Sequence, residues 1–342
     1  MENLFGKTLA QCEDIMKQLG EPAYRGKQLW KWLYEKKALS LEECTDLPKK
    51  IRGKLEQDYE IFHGKVVKIQ EDSGDGTAKY LIEMGDGELV ETVFMPYNYG
   101  HSICVSSQVG CRMGCDFCAS TVGGRVRNLS AGEMLDQIFL IEQGQGVRIT
   151  NIVLMGMGEP FDNYDNVLQF IELATKAWGI GQRKITLSTC GIIPRIEDFA
   201  KENLQVNLAI SLHTPFQDKR AILMPISKPY PVQELLKVCN IYFTTTKRRV
   251  SYEYALIDGF NDRQEDINEI VRLFKGHPHH INLIPLNPVS TTIYKGSQNV
   301  NFFSHELKKR GINCTIRKKM GREIEAACGQ LKLNAKMESK TE

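Results

Sequence analysis

From about residue 100 onward, short β-branched runs alternate with amphipathic helical stretches, and this alternation constrains the fold more than any other feature of the chain. Strand candidates begin near Ile103, Ile149, Lys184, Val206, Val250, Ile281 and Ile312. Helical spacing of apolar residues falls between them: Ser130 to Gln143, with Ser130 and Glu133 as a capping box, then Asn166 to Trp178, Val232 to Tyr242, Glu265 to Phe274 and Phe303 to Arg310. Strands separated in this way run parallel, joined by crossover helices, in a closed or partly closed barrel. Such folds bind ligands at the C-terminal ends of their strands, so motifs directly after strands carry the functional signal.

The first hundred residues read differently. Residues 1–58 are helical in pattern, with apolar spacing over Leu9 to Leu19 and Tyr24 to Tyr34, a break at Leu47-Pro48 and a short basic helix from Lys49 to Leu55. Residues 59–96 switch to strand-like alternation, with Gly85-Asp86-Gly87 as a hairpin turn. The barrel is expected over 97–330, and a flexible tail over 331–342. A chain of 342 residues with 42% apolar and 25% charged side chains can bury a large core. The 44 basic and 42 acidic residues leave a net charge of only +2, so any nucleic-acid affinity must come from clustered charge. No apolar run approaches the roughly 18–20 residues of a membrane helix. The start, Met-Glu-Asn-Leu-Phe-Gly-Lys, lacks a secretory pattern, so a cytoplasmic protein is expected.

Ten cysteines need an explanation in such a chain. Cys12, Cys44, Cys190, Cys239 and Cys314 stand apart, as small buried hydrophobes do. Cys104, Cys111, Cys115 and Cys118 crowd together, and Cys328 lies near the C-terminus. Three thiolates as close as those of Cys111-Arg-Met-Gly-Cys115-Asp-Phe-Cys118 cannot all ionise without a cation. A closed zinc site needs four ligands, and a second Cys-x-x-Cys pair is missing. A four-iron cluster held by three cysteines leaves one iron open to a substrate.

C-x3-C-x2-C with an aromatic before the last cysteine resembles the radical S-adenosylmethionine (SAM) superfamily. Six further runs sharpen the likeness: Val105-Ser-Ser-Gln-Val-Gly-Cys111, Gly156-Met-Gly-Glu-Pro160, Leu187-Ser-Thr-Cys-Gly-Ile-Ile-Pro194, Ile210-Ser-Leu-His213, Ile281-Asn-Leu-Ile-Pro-Leu-Asn-Pro288 and Ala326-Ala-Cys-Gly-Gln-Leu331. Together they resemble the RlmN/Cfr family of RNA adenine methyltransferases, over nearly the whole chain. The stretch from Glu21 to Trp30 is similar to that family's helical RNA-binding domain.

The resemblance implies an α/β fold, a partial (β/α)6-type radical SAM barrel with a small N-terminal helical domain and a short β-rich connecting segment. It implies a [4Fe-4S] cluster on Cys111, Cys115 and Cys118, and SAM contacts from Gly158, Glu159, Ser188, Ser211, Leu212, His213 and Asn287. By the same resemblance Cys328 carries a methyl group, Cys104 resolves the covalent adduct with RNA through a transient Cys104–Cys328 disulfide, and Glu91 accepts a proton. Two SAM molecules are used per turnover. The implied reaction is methylation of adenine C2 in the peptidyl-transferase region of 23S rRNA and of adenine 37 in some tRNAs. The alternative is the Cfr-type reaction at C8, which confers antibiotic resistance. Pro285 before Leu286-Asn-Pro and the Cys104-Val-Ser-Ser-Gln-Val-Gly run look more like the C2 branch, while Cys190 departs from it, since many members carry serine or a small residue there. The expected partners are 23S rRNA, tRNA and an electron donor such as flavodoxin or ferredoxin, with a monomeric protein.

Charge clustering fits RNA. Lys31, Lys36, Lys37, Lys49, Lys50, Arg52 and Lys54 share the N-terminal segment with Tyr24, Trp30, Trp32 and Tyr34, and basic runs recur at 247–249, 308–310 and 317–319. From a different class, a zinc-stabilised RNA-binding protein without catalysis could use the same patches.

Overall fold

The structure is a computed structural model that describes residues 1–287, 293–318, 320, 321, 324 and 330. Strand β1 (Glu2–Asn3) leads into helices α1 (Leu9–Gln18), α2 (Tyr24–Tyr34) and α3 (Lys49–Asp58). Strand β2 (Tyr59–Glu60) then returns to pair with β1 in parallel. Thr8 and Gln11 form a reciprocal capping box at the start of α1, and α3 begins directly after Pro48, where the break was expected. This helical unit is seated on the rest of the chain by aromatic packing. The Phe5 ring lies 5.6 Å from Tyr34, 5.8 Å from Phe139 and 6.1 Å from Trp178. The approach is so close that a Cβ on Gly132 would sit 2.2 Å from the Phe5 carbonyl oxygen.

Strands β3 (Lys65–Glu71), β4 (Ala78–Glu83), β5 (Leu89–Tyr97) and β6 (Gly100–Cys104) form an antiparallel run, with the expected turn between β4 and β5. A separate hairpin of β7 (Gln108–Gly110) and β8 (Arg125–Asn128) follows. Then comes the alternation: α4 (Ala131–Gln145), β9 (Ile149–Leu154), α5 (Tyr164–Lys176), β10 (Ile185–Thr189), α6 (Ile193–Lys201), β11 (Asn207–Ser211), α7 (Gln217–Leu223), α8 (Val232–Thr246), β12 (Val250–Leu256), α9 (Gln264–Phe274), β13 (His279–Pro285), α10 (Val300–Lys309) and β14 (Cys314–Ile316).

One ten-stranded sheet contains most of these strands, in the order β14-β13-β12-β11-β10-β9-β6-β5-β4-β3. Every pairing from β6 to β14 is parallel and joins successive strands of the alternation, as crossover helices require. The sheet has edges at β3 and β14, so among the described residues the barrel is open, as the expected partial (β/α)6-type architecture would be. Leu208, Ala209 and Ile210 are all fully buried, which marks β11 as a strand covered on both faces. Helices α6 and α7 and the β7–β8 hairpin were not expected. With nine and seven residues, the two helices are too short to display a clear 3.6-residue period.

Candidate active site

Cys111, Cys115 and Cys118 lie in the long connection between β7 and β8. The Cys111 N–H donates to the Gly124 carbonyl at 3.0 Å and closes the base of this loop. The Asp116 N–H donates to the Leu223 carbonyl at 2.9 Å, which ties the loop to the end of α7. Asp162 holds the other side, accepting from Gln108 Nε2 at 3.0 Å, from Arg125 Nη1 at 2.6 Å and from Arg112 Nε at 3.0 Å.

The loop roofs one cavity at the C-terminal ends of the parallel strands. All three cysteines line it, as do Gly158 and Glu159 after β9, Ser188 on β10, Ser211 and His213 at and beyond the end of β11, and Asn287 after β13. Leu212 is fully buried and does not line it; it contributes its backbone, with its N–H donating to the Glu253 carbonyl at 3.0 Å.

Burial pushes the Cys111 thiol up to about 12, and Cys115 well above its ordinary range, with the neighbouring thiols and Glu159 adding to the rise. Thiols so placed become ligands only when a cation takes the proton's place, which suits a metal cluster. Among the described residues, no three His, Cys, Asp or Glu side chains converge closely enough to share one ion. Three cysteines around one cavity suit ligands to separate irons of a cluster better than a single zinc.

The Gly156-Met-Gly-Glu-Pro160 run is shaped first by the chain itself. A Cβ on Gly156 would lie 2.6 Å from Ser106 Oγ, and one on Gly158 (φ 104°) 2.8 Å from the Gln108 backbone nitrogen. The glycines therefore let this loop lie flush on residues 105–108, where Met157 O accepts from Ser107 N–H at 2.8 Å. Glu159 is buried, and its two oxygens accept from the Phe161 N–H at 3.0 Å and the Cys190 N–H at 2.7 Å. Burial raises its carboxyl above the usual carboxylate range, and these N–H groups oppose the rise. The side chain thus links the β9 and β10 loops while facing the cavity.

His213 has a left-handed backbone (φ 58°), held from both sides. Asn261 Nδ2 donates to its carbonyl at 2.6 Å, and His213 Nδ1 accepts from the Ala255 N–H at 3.0 Å. An acceptor Nδ1 places the ring proton on Nε2. Burial, with Arg220 nearby, lowers the imidazole to about 3, so it is a neutral hydrogen-bond donor at physiological pH.

Cys104 and Glu91 do not line this cavity. Cys104, at the end of β6, is buried in a small apolar cluster with Val93, Met95, Met157 and Ile324. Glu91 lies two positions before Val93 on β5, and Lys79 Nζ of β4 pairs with its Oε1 at 3.2 Å, both side chains nearly buried. Met157 joins the two, because its Sδ accepts from the Glu91 N–H at 3.4 Å. Ile324 packs in the same cluster as Cys104; Cys328 and residues 331–342 lie outside the described residues. No disulfide joins two of the described cysteines.

Of the basic and aromatic N-terminal residues, Tyr24 is exposed, whereas Tyr34 is buried and donates through its hydroxyl to the Lys7 carbonyl at 2.7 Å. Sequence reasoning missed Asp162, Lys79 and Arg220, because a short window of sequence does not separate a buried charge from a solvated one. It also treated Cys190 as core, although that thiol lines the cavity beside Glu159. Its position in Leu187-Ser-Thr-Cys-Gly, directly after a strand, was the available signal.

Two family models match the chain: the radical SAM superfamily over residues 105–274, and the ribosomal RNA large subunit methyltransferase N-terminal domain over residues 2–61. Similar curated proteins carry the name probable dual-specificity RNA methyltransferase RlmN. That of Clostridium perfringens strain 13 is 47% identical over 97% of both chains. That of Lachnospira eligens is 49% identical over 93% of this chain and 92% of its own. A solved radical SAM methyltransferase from Sphaerobacter thermophilus superimposes with a TM-score of 0.91 at 40% identity, covering 98% of this chain and all of that one. Identity at this level and coverage, on a cavity that gathers the cysteine loop and the strand-end motifs, makes the chain a member of the RlmN family of radical SAM methyltransferases.

Proposed function

We propose that the chain is an RNA methyltransferase that methylates C2 of an adenine in the peptidyl-transferase region of 23S rRNA and adenine 37 of some tRNAs. The observation that carries this reading is the single cavity shared by Cys111, Cys115, Cys118 and the strand-end residues, in a chain 47% identical over its length to a protein named for dual-specificity RNA methylation. Cys111, Cys115 and Cys118 would hold a [4Fe-4S] cluster, which would supply the electron for reductive cleavage of SAM and take back the one electron that the adenine adduct must lose.

The remaining roles belong to the chain. Glu159 takes the ammonium of SAM, while Ser188, Ser211, Asn287 and the Nε2–H of neutral His213 orient its polar groups. Cys328 would receive a methyl group from one SAM, and loss of a hydrogen atom from that methyl to the deoxyadenosyl radical of a second SAM would leave the carbon that adds to the adenine. Glu91 takes the C2 proton. The Cys104 thiolate then attacks the Cys328 sulfur and breaks its bond to the methylene carbon, which leaves with the RNA and takes a proton to become the methyl group, and the Cys104–Cys328 disulfide is left for an outside reductant. Cys104 and Glu91 meeting around Met157, with Ile324 alongside, support this division.

The test is covalent trapping. Cys328→Ala should give neither methylated protein nor methylated RNA. Cys104→Ala should accept the methyl, add to adenine and stall as a protein–RNA adduct that survives denaturant. Normal turnover of Cys104→Ala, or consumption of methyl-Cys328 without an adduct, overturns these roles. Mass spectrometry of the RNA product separates 2-methyl- from 8-methyladenosine, and the latter would place the chain with the Cfr-type reaction.

A further inference from the structure

Arg220 is the most deeply buried charged residue near the cavity, with no exposed surface. It sits on α7, three residues before Leu223, whose carbonyl holds the cysteine loop. Its Nε donates to the Leu212 carbonyl at 3.2 Å, and its Nη2 to the Cys190 and Ser211 carbonyls at 2.7 and 2.9 Å. Its Nη1 has no hydrogen-bond partner among the described residues. No carboxylate among them pairs with it either; the acidic groups that feel its charge are the thiols of Cys115, Cys190 and Cys239.

An uncompensated buried guanidinium is costly, and carbonyl dipoles offset only part of that cost. Bridging three carbonyls does not call for a full charge, since an amide side chain also donates. A charge is called for when its neighbour becomes an anion. Cys115 and its two companions would be thiolates when they hold iron, and each electron added to a cluster makes that region more negative. Net charge and hydrogen bonding around a cluster are what set its reduction potential.

We propose that Arg220 is the fixed internal cation that raises the reduction potential of the cluster held by Cys111, Cys115 and Cys118. It acts across Cys115 from a position locked by the carbonyls at the ends of β10 and β11. The inference rests on the reading of the cysteine loop given above. Arg220 touches neither SAM nor RNA in this account; it positions charge.

Redox titration of the reconstituted full chain without SAM, followed by electron paramagnetic resonance of the reduced cluster, tests it. In Arg220→Gln, which keeps donors but loses the charge, the reduced-to-oxidised ratio at a fixed potential should fall about tenfold, or 59 mV for a one-electron couple. Arg220→Lys, which keeps the charge, should stay within about threefold of the parent. A fully loaded Arg220→Gln with the parent's midpoint overturns the proposal, as does a Lys variant that shifts as far as Gln. Where Gln fails to hold iron, iron content decides: retention by Lys supports a need for charge, and loss in both variants assigns Arg220 to carbonyl bridging alone and overturns it. A parent chain that binds no iron instead overturns the reading of the cysteine loop itself.

Discussion

The cavity beneath Cys115 and the β5–β6 region around Cys104 share the loop after β9, with Met155 lining the first and Met157 packed into the second. They are organised by different forces. Around the cavity, polar side chains are fixed by backbone: Glu159 by two N–H groups, His213 by Ala255 and Asn261, Arg220 by three carbonyls. Around Cys104, apolar contact and the Lys79–Glu91 ion pair contribute to position. The first arrangement suits a ligand that must be held still. The second keeps thiol and carboxylate in a setting where a covalent partner comes and goes. Backbone cradles resist single substitutions, whereas an ion pair is lost with either partner.

The largest expected difference between the regions is in metal. Cys115→Ala should lose its iron and all reductive cleavage of SAM, while Cys104→Ala should keep the parent's iron content. Iron and sulfide analysis after anaerobic reconstitution measures both. A full cluster in Cys115→Ala would end the assignment of the loop.

Next in size is the ion pair. Lys79→Met removes the cation beside the nearly buried Glu91 carboxylate, which should lower stability by on the order of 3 kcal/mol. RNA methylation should fall while iron content stays near normal. Urea denaturation and a product assay read these separately. A variant as stable and active as the parent would remove Lys79 and Glu91 from the mechanism proposed here.

The cavity side should instead show its burial through pH. His213 is lowered from 6.5 to about 3, so the folded chain binds fewer protons there than the unfolded chain. Stability from this group is therefore present above 6.5 and declines as pH falls towards 3. At pH 5, about 1.5 units below 6.5, the loss should be about 2 kcal/mol. His213→Asn, which tolerates the left-handed backbone, should lose correspondingly less stability between pH 7 and pH 5. Equal losses in parent and variant would show that His213 does not titrate as its burial implies.

How much of this was legible in the sequence follows the same division. Seven parallel strands start within four residues of their expected positions, because short β-branched runs between helical patterns mark them locally. The cysteine loop and the strand-end residues were legible because local spacing carries their chemistry. Lys79, Asp162 and Arg220 were not, since nothing in a short window separates a buried charge from a solvated one; only the tertiary neighbours do. Gly158 was expected to contact SAM, and the structure shows that residues 105–108 need the room at Gly156 and Gly158 first.

Cys190 gives the smallest expected effect and the sharpest contrast within the cavity. Its residue is more buried than Cys115, and its thiol is pushed well up by burial and by Glu159, to which it also hydrogen-bonds. A seryl hydroxyl at the end of β10 can make the same bond to the same carboxylate, with little change in volume. Cys190→Ser should therefore keep the parent's iron and SAM cleavage and shift stability by less than about 1 kcal/mol. A thiol that ligates iron cannot be replaced in this way, because a neutral hydroxyl is a poor ligand for iron where thiolate binds. Iron content measured side by side in Cys190→Ser and Cys115→Ser distinguishes the two kinds of cavity cysteine. Loss of iron from the Cys190 variant would mean that the strand-end thiol, and not the loop alone, holds the cluster.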